Sequence, residues 1–168
     1  QKVANYPGVT VERKEGIWRL DEGQIARLID LPGLYSLEAA SPDEQIAADI
    51  LTGKLFDLPK PDAIIAVVDA TNLERNLYLV TQLLEFKIPV VIALTMIDLA
   101  ENQNLEVNIE KLSRKMQVPV VCVKAKNGEG IAELAGEVLK SAQARKISNF
   151  PWLNDSNGSE NAFEIPLD

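Results

Sequence analysis

The 168-residue chain contains no histidine, one cysteine and only 5% aromatic residues. Without histidine it lacks the commonest zinc-binding nitrogen and the commonest general base near neutral pH. The single cysteine, Cys122, lies inside the apolar run VPVVCV. It reads as a buried, inert thiol and is compatible with a cytoplasmic setting. No Cys/His cluster exists in the chain. No apolar run approaches the ~20 residues that cross a bilayer, and the opening QKVANYPG has no secretory pattern and no initiator methionine, so a fragment is expected. Basic residues number 17 against 25 acidic ones, a formal net charge of −8. With no basic stripe to neutralise phosphates, no nucleic-acid partner is expected.

What is present is a globular chain with 46% hydrophobic residues. Three apolar runs, AIIAVVDA (63–70), PVVIALTMID (89–98) and VPVVCV (118–123), are rich in Val and Ile. Such runs suit parallel strands covered on both faces. Between them, Leu73, Leu77, Val80 and Leu84 fall on one helical face, as do Ile109, Leu112 and Met116, and then Ile131, Leu134 and Val138. Strands alternating with helices predict a right-handed parallel α/β fold. Before them, VTVERKEGIWRL and GQIARLIDL flank a DEG turn signal and read as a hairpin entering the same sheet. SPDEQIAADIL then opens a helix with Ser41 as N-cap, Pro42 at N1 and Glu44 closing a capping box. From about Ile147 periodicity is lost. The chain therefore divides into a domain over 1–146 and a linker, or the start of a following helical region, over 147–168.

In open α/β sheets, ligands bind beyond the carboxyl ends of the strands. Asp30, Asp69, Thr95 with Asp98, and Lys124 to Asn127 stand at four such ends. In DLPG, Asp30–Gly33, the carboxylate can hold Mg²⁺ through water, and the glycine can offer its backbone N–H to a terminal phosphate. A turn or helix-capping aspartate is the plainer alternative. In TMID, Thr95–Asp98, a carboxylate can accept from both N1–H and N2–H₂ of guanine, donors that adenine lacks. The alternative is Asp98 as N-cap of LAENQ. In KAKNGEG (124–130), the small Ala125 lets backbone amides approach a base oxygen, or the segment is an ordinary glycine-containing loop. Thr10 in NYPGVTVE is either a Mg²⁺ ligand or a β-branched strand residue. Their order along the chain matches switch I, switch II, the guanine reader and the last base-contact loop of GTPases.

The stretches NYPGVTVERKEG, DLPGLYSL, SPDEQIA and VVDATNLERNLYLVTQLLE go further. They resemble the cytosolic G domain of the ferrous iron transport protein B family, bacterial membrane transporters for Fe²⁺, over about residues 1–142. The resemblance implies a Ras-like GTPase fold with a mostly parallel sheet and helices on both faces. It implies GTP or GDP with Mg²⁺, often with K⁺, and a domain at the cytoplasmic face of the inner membrane, this fragment itself soluble. The partner it implies is the membrane domain of the same transporter, through which an oligomer could form. By the same resemblance Gly8, Val9 and Thr10 belong to switch I, with Thr10 a Mg²⁺ ligand. Asp30, Leu31, Pro32 and Gly33 form switch II, with Asp30 on the metal. Thr95, Met96 and Asp98 form the guanine-reading segment, and Lys124, Ala125 and Lys126 the last loop. Leu34 follows Gly33 where many GTPases have a water-orienting glutamine, so slow intrinsic hydrolysis is expected.

The chain departs from the family pattern in three ways. G-x-x-x-x-G-K-[ST] occurs nowhere in it. In the family that phosphate loop precedes Gln1 and comes with a central strand, so a gap in the core, or direct pairing of the strands ending at Asp30 and Asp69, is expected. Either the sequence begins downstream of the loop or the chain is a pseudo-GTPase acting as an interaction module. Thr95 stands where Asn is usual, and Lys124 where Ser is usual. A ribosome-assembly GTPase of the Era type is a further reading, opposed by the acidic charge.

Overall fold

A computed structural model describes residues 2–6, 12–20, 23–31, 34, 37, 41–145 and 147–150. Its first strands, β1 (Lys2–Asn5), β2 (Glu12–Arg19) and β3 (Ile25–Asp30), form an antiparallel sheet in that order. β2 and β3 are the expected hairpin. β1 is an addition that four residues without periodicity do not announce. The helix α1 (Pro42–Thr52) begins on the expected capping box. The Ser41 hydroxyl accepts the Glu44 amide at 3.3 Å, and the Glu44 carboxylate accepts the Ser41 amide at 2.9 Å. The helix stops at Gly53, whose φ of 70° suits a residue without Cβ and lets its amide reach the Asp49 and Ile50 carbonyls.

The three Val/Ile runs become β4 (Ile64–Asp69), β5 (Val90–Thr95) and β6 (Val120–Cys122), parallel and in sequence order. A single 3₁₀ turn (Ala70–Asn72) leads into α2 (Leu73–Glu85); α3 (Ile97–Asn102) and α4 (Ile109–Met116) join β5 to β6, and α5 (Ile131–Ala144) follows. On one face, Ile64, Ala66, Val68, Ile92 and Leu94 pack with Leu77, Val80 and Leu84 of α2 and with Leu112 and Met116 of α4. On the other, Val91, Ala93, Val121 and Val123 meet Leu134 and Val138 of α5. Helices on both faces explain why Val90 to Leu94 are buried without alternation. Each such side chain contributes about 1.5–3 kcal/mol of burial.

The hairpin does not enter the parallel sheet. β3 and β4 share no ladder, and side chains hold the two sheets together. Tyr6, Ile46, Ile50 and Leu58 form a third cluster with Ile29 and Leu31, and Trp18 packs on the α5-side cluster, as do Ala63 and Ile65. Arg13 donates to Asp57 in the loop after α1, and its Nε lies 2.6 Å from Glu15 Oε1, close in charge but off the hydrogen-bond line. Arg27 closes on the same Glu15 with two bonds of 2.9 Å. Of the two expectations, direct pairing of the strands ending at Asp30 and Asp69 is not what the described residues show. Val67 on β4 is 67% exposed, and Ile17 and Ile25 of the hairpin are 72% and 65% exposed. After α5 the chain returns to the core. Ser148 donates to the Gln117 carbonyl at 3.3 Å, and Phe150 packs against the larger cluster.

Candidate functional site

The parallel ladder sets the carboxyl edge. Asp69 at the end of β4 pairs with Thr95 at the end of β5, and Val123, just past β6, donates its amide to the Leu94 carbonyl at 2.8 Å. Three of the four sequence-predicted strand ends therefore lie side by side. Asp69 is committed locally. Its carboxylate accepts the Thr71 amide at 2.8 Å and the Thr71 hydroxyl at 2.7 Å, which pins the 3₁₀ turn against which α3 packs. Thr95 donates its hydroxyl to the Val68 carbonyl at 3.1 Å, tying the ends of β4 and β5. A hydroxyl thus supplies a link between strand ends even though the residue is not asparagine.

After Thr95 the backbone turns sharply at Met96, which adopts the left-handed conformation (φ 59°) and occupies the N-cap position of α3 without a side-chain cap. Asp98 falls inside the first turn of that helix, so it is not the cap that the plainer reading made it. Its carboxylate is exposed and has no partner among the described residues. Position in the first turn lets the helix dipole favour its charge.

The loop after β6 is closed on itself. Lys124 and Glu129 form an isolated antiparallel bridge, with the Lys124 amide donating to the Glu129 carbonyl at 3.0 Å. The Lys124 carbonyl accepts the Gly128 amide at 3.0 Å and the Asn127 amide at 3.3 Å. Lys124 Nζ lies 3.2 Å from Glu129 Oε2, Asn127 Nδ2 donates to the same carboxylate at 3.3 Å, and Glu129 N–H returns to Asn127 Oδ1 at 3.2 Å. The hydrogen bond from Lys124, then that from Asn127, holds the Glu129 carboxyl below the ordinary carboxylate range. The closure requires glycine at 130. Its φ is 82°, and a Cβ there would sit 1.9 Å from the Cys122 carbonyl oxygen. Ala125 and Lys126 stand exposed at the loop's tip. Cys122 is half-buried rather than buried as the sequence reads, and burial first and Glu133 second push its thiol up.

Asp30 ends β3, in the antiparallel sheet. Trp18, which pairs with Ala26 near the start of β3, packs on the same α5-side cluster as Ala63 and Ile65. Leu31, just past the end of β3, reaches the larger core cluster. The Asp30 backbone carbonyl accepts the buried Tyr6 hydroxyl at 3.4 Å, a contact the sequence did not signal. Burial is the main cause that pushes the Tyr6 phenol up, so it remains a donor. The Asp30 carboxylate is exposed and without a partner among the described residues, and a carboxylate is a hard oxygen donor of the kind that suits Mg²⁺. Gly8, Val9, Thr10, Pro32 and Gly33 lie outside the described residues. Among the described residues no group of three or more His, Cys, Asp or Glu is placed to hold a metal ion, and no helix is long and apolar enough to cross a membrane.

A parallel sheet layered by helices, with an uncommitted carboxylate and a closed loop at neighbouring strand ends, is the architecture of a Ras-like G domain. Residues 1–138 match the family model for ferrous iron transport protein B. The Fe(2+) transporter FeoB of Escherichia coli K12 is 48% identical over 99% of this chain, which spans 22% of that relative's length. Among solved structures, the cytosolic domain of T. maritima FeoB in its GMPPNP form superposes with a TM-score of 0.78 at 40% identity, covering 89% of this chain and 57% of that one. The FeoB G domain from Methanococcus jannaschii does so with 0.71 at 39% identity, covering 81% and 83%. The chain belongs to the ferrous iron transport protein B family.

Proposed function

We propose that this chain is the guanine-nucleotide-binding, GTP-hydrolysing switch domain of a Fe²⁺ transporter, working at the cytoplasmic face of the bacterial inner membrane. The observation that carries the reading is the unpartnered carboxylate of Asp98, presented in the first turn of α3 after β5, with the self-closed loop at 124–129 following the neighbouring strand β6. Asp98 accepts the N1–H and N2–H₂ edge of guanine, while Thr95 and Met96 hold the strand end and turn that aim it. The backbone amides of Ala125 and Lys126 approach the base oxygen, with Lys124 anchoring their loop. Asp30 and Thr10 would hold Mg²⁺, which supplies charge neutralisation to the phosphates when bound. Gly8 and Val9 precede Thr10 in the same switch segment, and Leu31 and Pro32 carry the chain from Asp30 to Gly33, whose N–H senses the terminal phosphate. K⁺ as a second cation and the transporter's own membrane domain as partner, with any oligomer formed through it, belong to the same reading. The pseudo-GTPase reading has no observation in its favour, and the solved T. maritima relative was captured with GMPPNP.

Two hydrogen bonds to a charged acceptor, each about 1.5–3 kcal/mol, give about a hundredfold or more preference for GDP over ADP. Titration calorimetry of the full-length protein with GDP and then ADP tests this. ADP binding within about threefold of GDP would overturn the guanine assignment, since a lost pair of such bonds costs far more than that.

A further inference from the structure

The loop after β6 holds more order than a base-contact loop needs in order to be reached by a ligand. The amides of Asn127, Gly128 and Glu129 are all engaged within the loop, whereas those of Ala125 and Lys126 have no partner among the described residues. Two consecutive free donors at the tip of an otherwise satisfied loop suit an acceptor oxygen supplied from outside. What holds the tip open is the pairing of Lys124 with Glu129 across its base, reinforced by Asn127. Neither charge touches another element, and their side chains are 48% and 59% exposed. The pair therefore contributes little to the core, and its effect is on the shape of the loop.

Resting on the guanine-nucleotide reading above, we propose that Glu129 is a positioning residue. Its clasp on Lys124 and Asn127 keeps the Ala125 and Lys126 amides aimed at the base oxygen and so sets how long the nucleotide stays bound. Glu129 touches no reacting atom. When the clasp opens, the loop samples other shapes, the two amides lose their common direction, and the base is released sooner. Entry of the nucleotide does not require the clasp, so the association rate is unaffected. Because the pair is exposed, raising the ionic strength weakens it.

The test is stopped-flow release of ribose-labelled fluorescent GDP from the full-length protein and its Glu129→Gln, Glu129→Lys and Glu129→Asp variants. Release from Glu129→Gln is expected to be about two- to fivefold faster, the range open to an exposed pair with supporting hydrogen bonds. Glu129→Lys is expected to release faster still, and Glu129→Asp to recover part of the loss. Added salt is expected to speed release from the parent protein and to leave Glu129→Gln unchanged. The melting temperatures of all four proteins are expected to agree, which a merely structural role for Glu129 would not give. Unchanged release from both Glu129→Gln and Glu129→Lys would overturn the clasp while leaving guanine binding intact. Failure of the parent protein to bind labelled GDP would overturn the guanine reading and the clasp with it.

Discussion

The substitution Asp98→Asn isolates the chemistry assigned to the end of β5. Asp98 is exposed in the first turn of α3, and no described side chain or amide depends on it. Folding should therefore lose only its interaction with the dipole of a short helix, about 0.3–1 kcal/mol. Nucleotide binding should lose far more. An asparagine keeps one acceptor oxygen but turns an NH₂ group toward the guanine N2–H₂, so one bond to a charged acceptor becomes a neutral one and the other becomes a clash of donors. With each lost bond to a charged group worth about 1.5–3 kcal/mol, GDP affinity should fall by at least about a hundredfold. Xanthine carries a carbonyl where guanine carries its amino group, so the same variant should gain affinity for xanthosine diphosphate. Titrating GDP and xanthosine diphosphate against the parent and variant full-length proteins, with a thermal melt of each, reads all three quantities. A variant that melts normally and binds GDP within about threefold of the parent would refute the reasoning, because two such bonds cannot be lost so cheaply.

Four other outcomes follow from the geometry. Gly130→Ala would drive a Cβ into the Cys122 carbonyl at a φ of 82°, so urea unfolding should show a loss of about 1–3 kcal/mol or more. Ser41→Ala removes the acceptor of the Glu44 amide and should cost about 1 kcal/mol in the same assay. The hydrogen bond from Arg13 holds the Asp57 carboxyl below its ordinary value. A depressed folded-state value means that stabilisation is present above the unfolded carboxylate value near ~4 and is lost as pH falls through the lower folded value. Unfolding free energies measured across that window should decline, and Asp57→Asn should flatten part of the slope. With Leu34 where a water-orienting glutamine is common, single-turnover GTP hydrolysis by the full-length protein should be slow, far below the ~5–20 s⁻¹ of a GTPase assisted by its activating protein.

The parts of the fold that were legible in the sequence are those in which a local pattern and its tertiary use coincide. β4, β5 and β6 stand where continuous Val/Ile runs are covered from both sides, and the Ser41–Glu44 box starts α1 as its four residues announce. β1 was not legible, because its only signal is the ladder it makes with β2. The hairpin reads from its sequence as entering the parallel sheet and does not, since ladder formation between β3 and β4 depends on the space between them and not on either strand's residues. At the site, Asp98 was found but its place in the helix was not. The left-handed turn at Met96, a residue with no special liking for that conformation, moves the helix start two residues earlier than a capping aspartate at 98 would. The Lys124–Glu129 clasp was missed although its signal, opposite charges at the two ends of a glycine-containing turn, was on the page. The return of Ser148 and Phe150 to the core hangs on single side chains in a segment without periodicity, which no local rule reads.

The account rests on residues from separate strand ends serving one guanine nucleotide. Hydrogen–deuterium exchange of the full-length protein, with and without GDP, tests this directly. The account predicts that GDP slows exchange together in three segments, 30–34, 95–100 and 124–130, with the rest of the domain little changed. Protection confined to one of these segments, or appearing away from the carboxyl edge of the sheet, would contradict it.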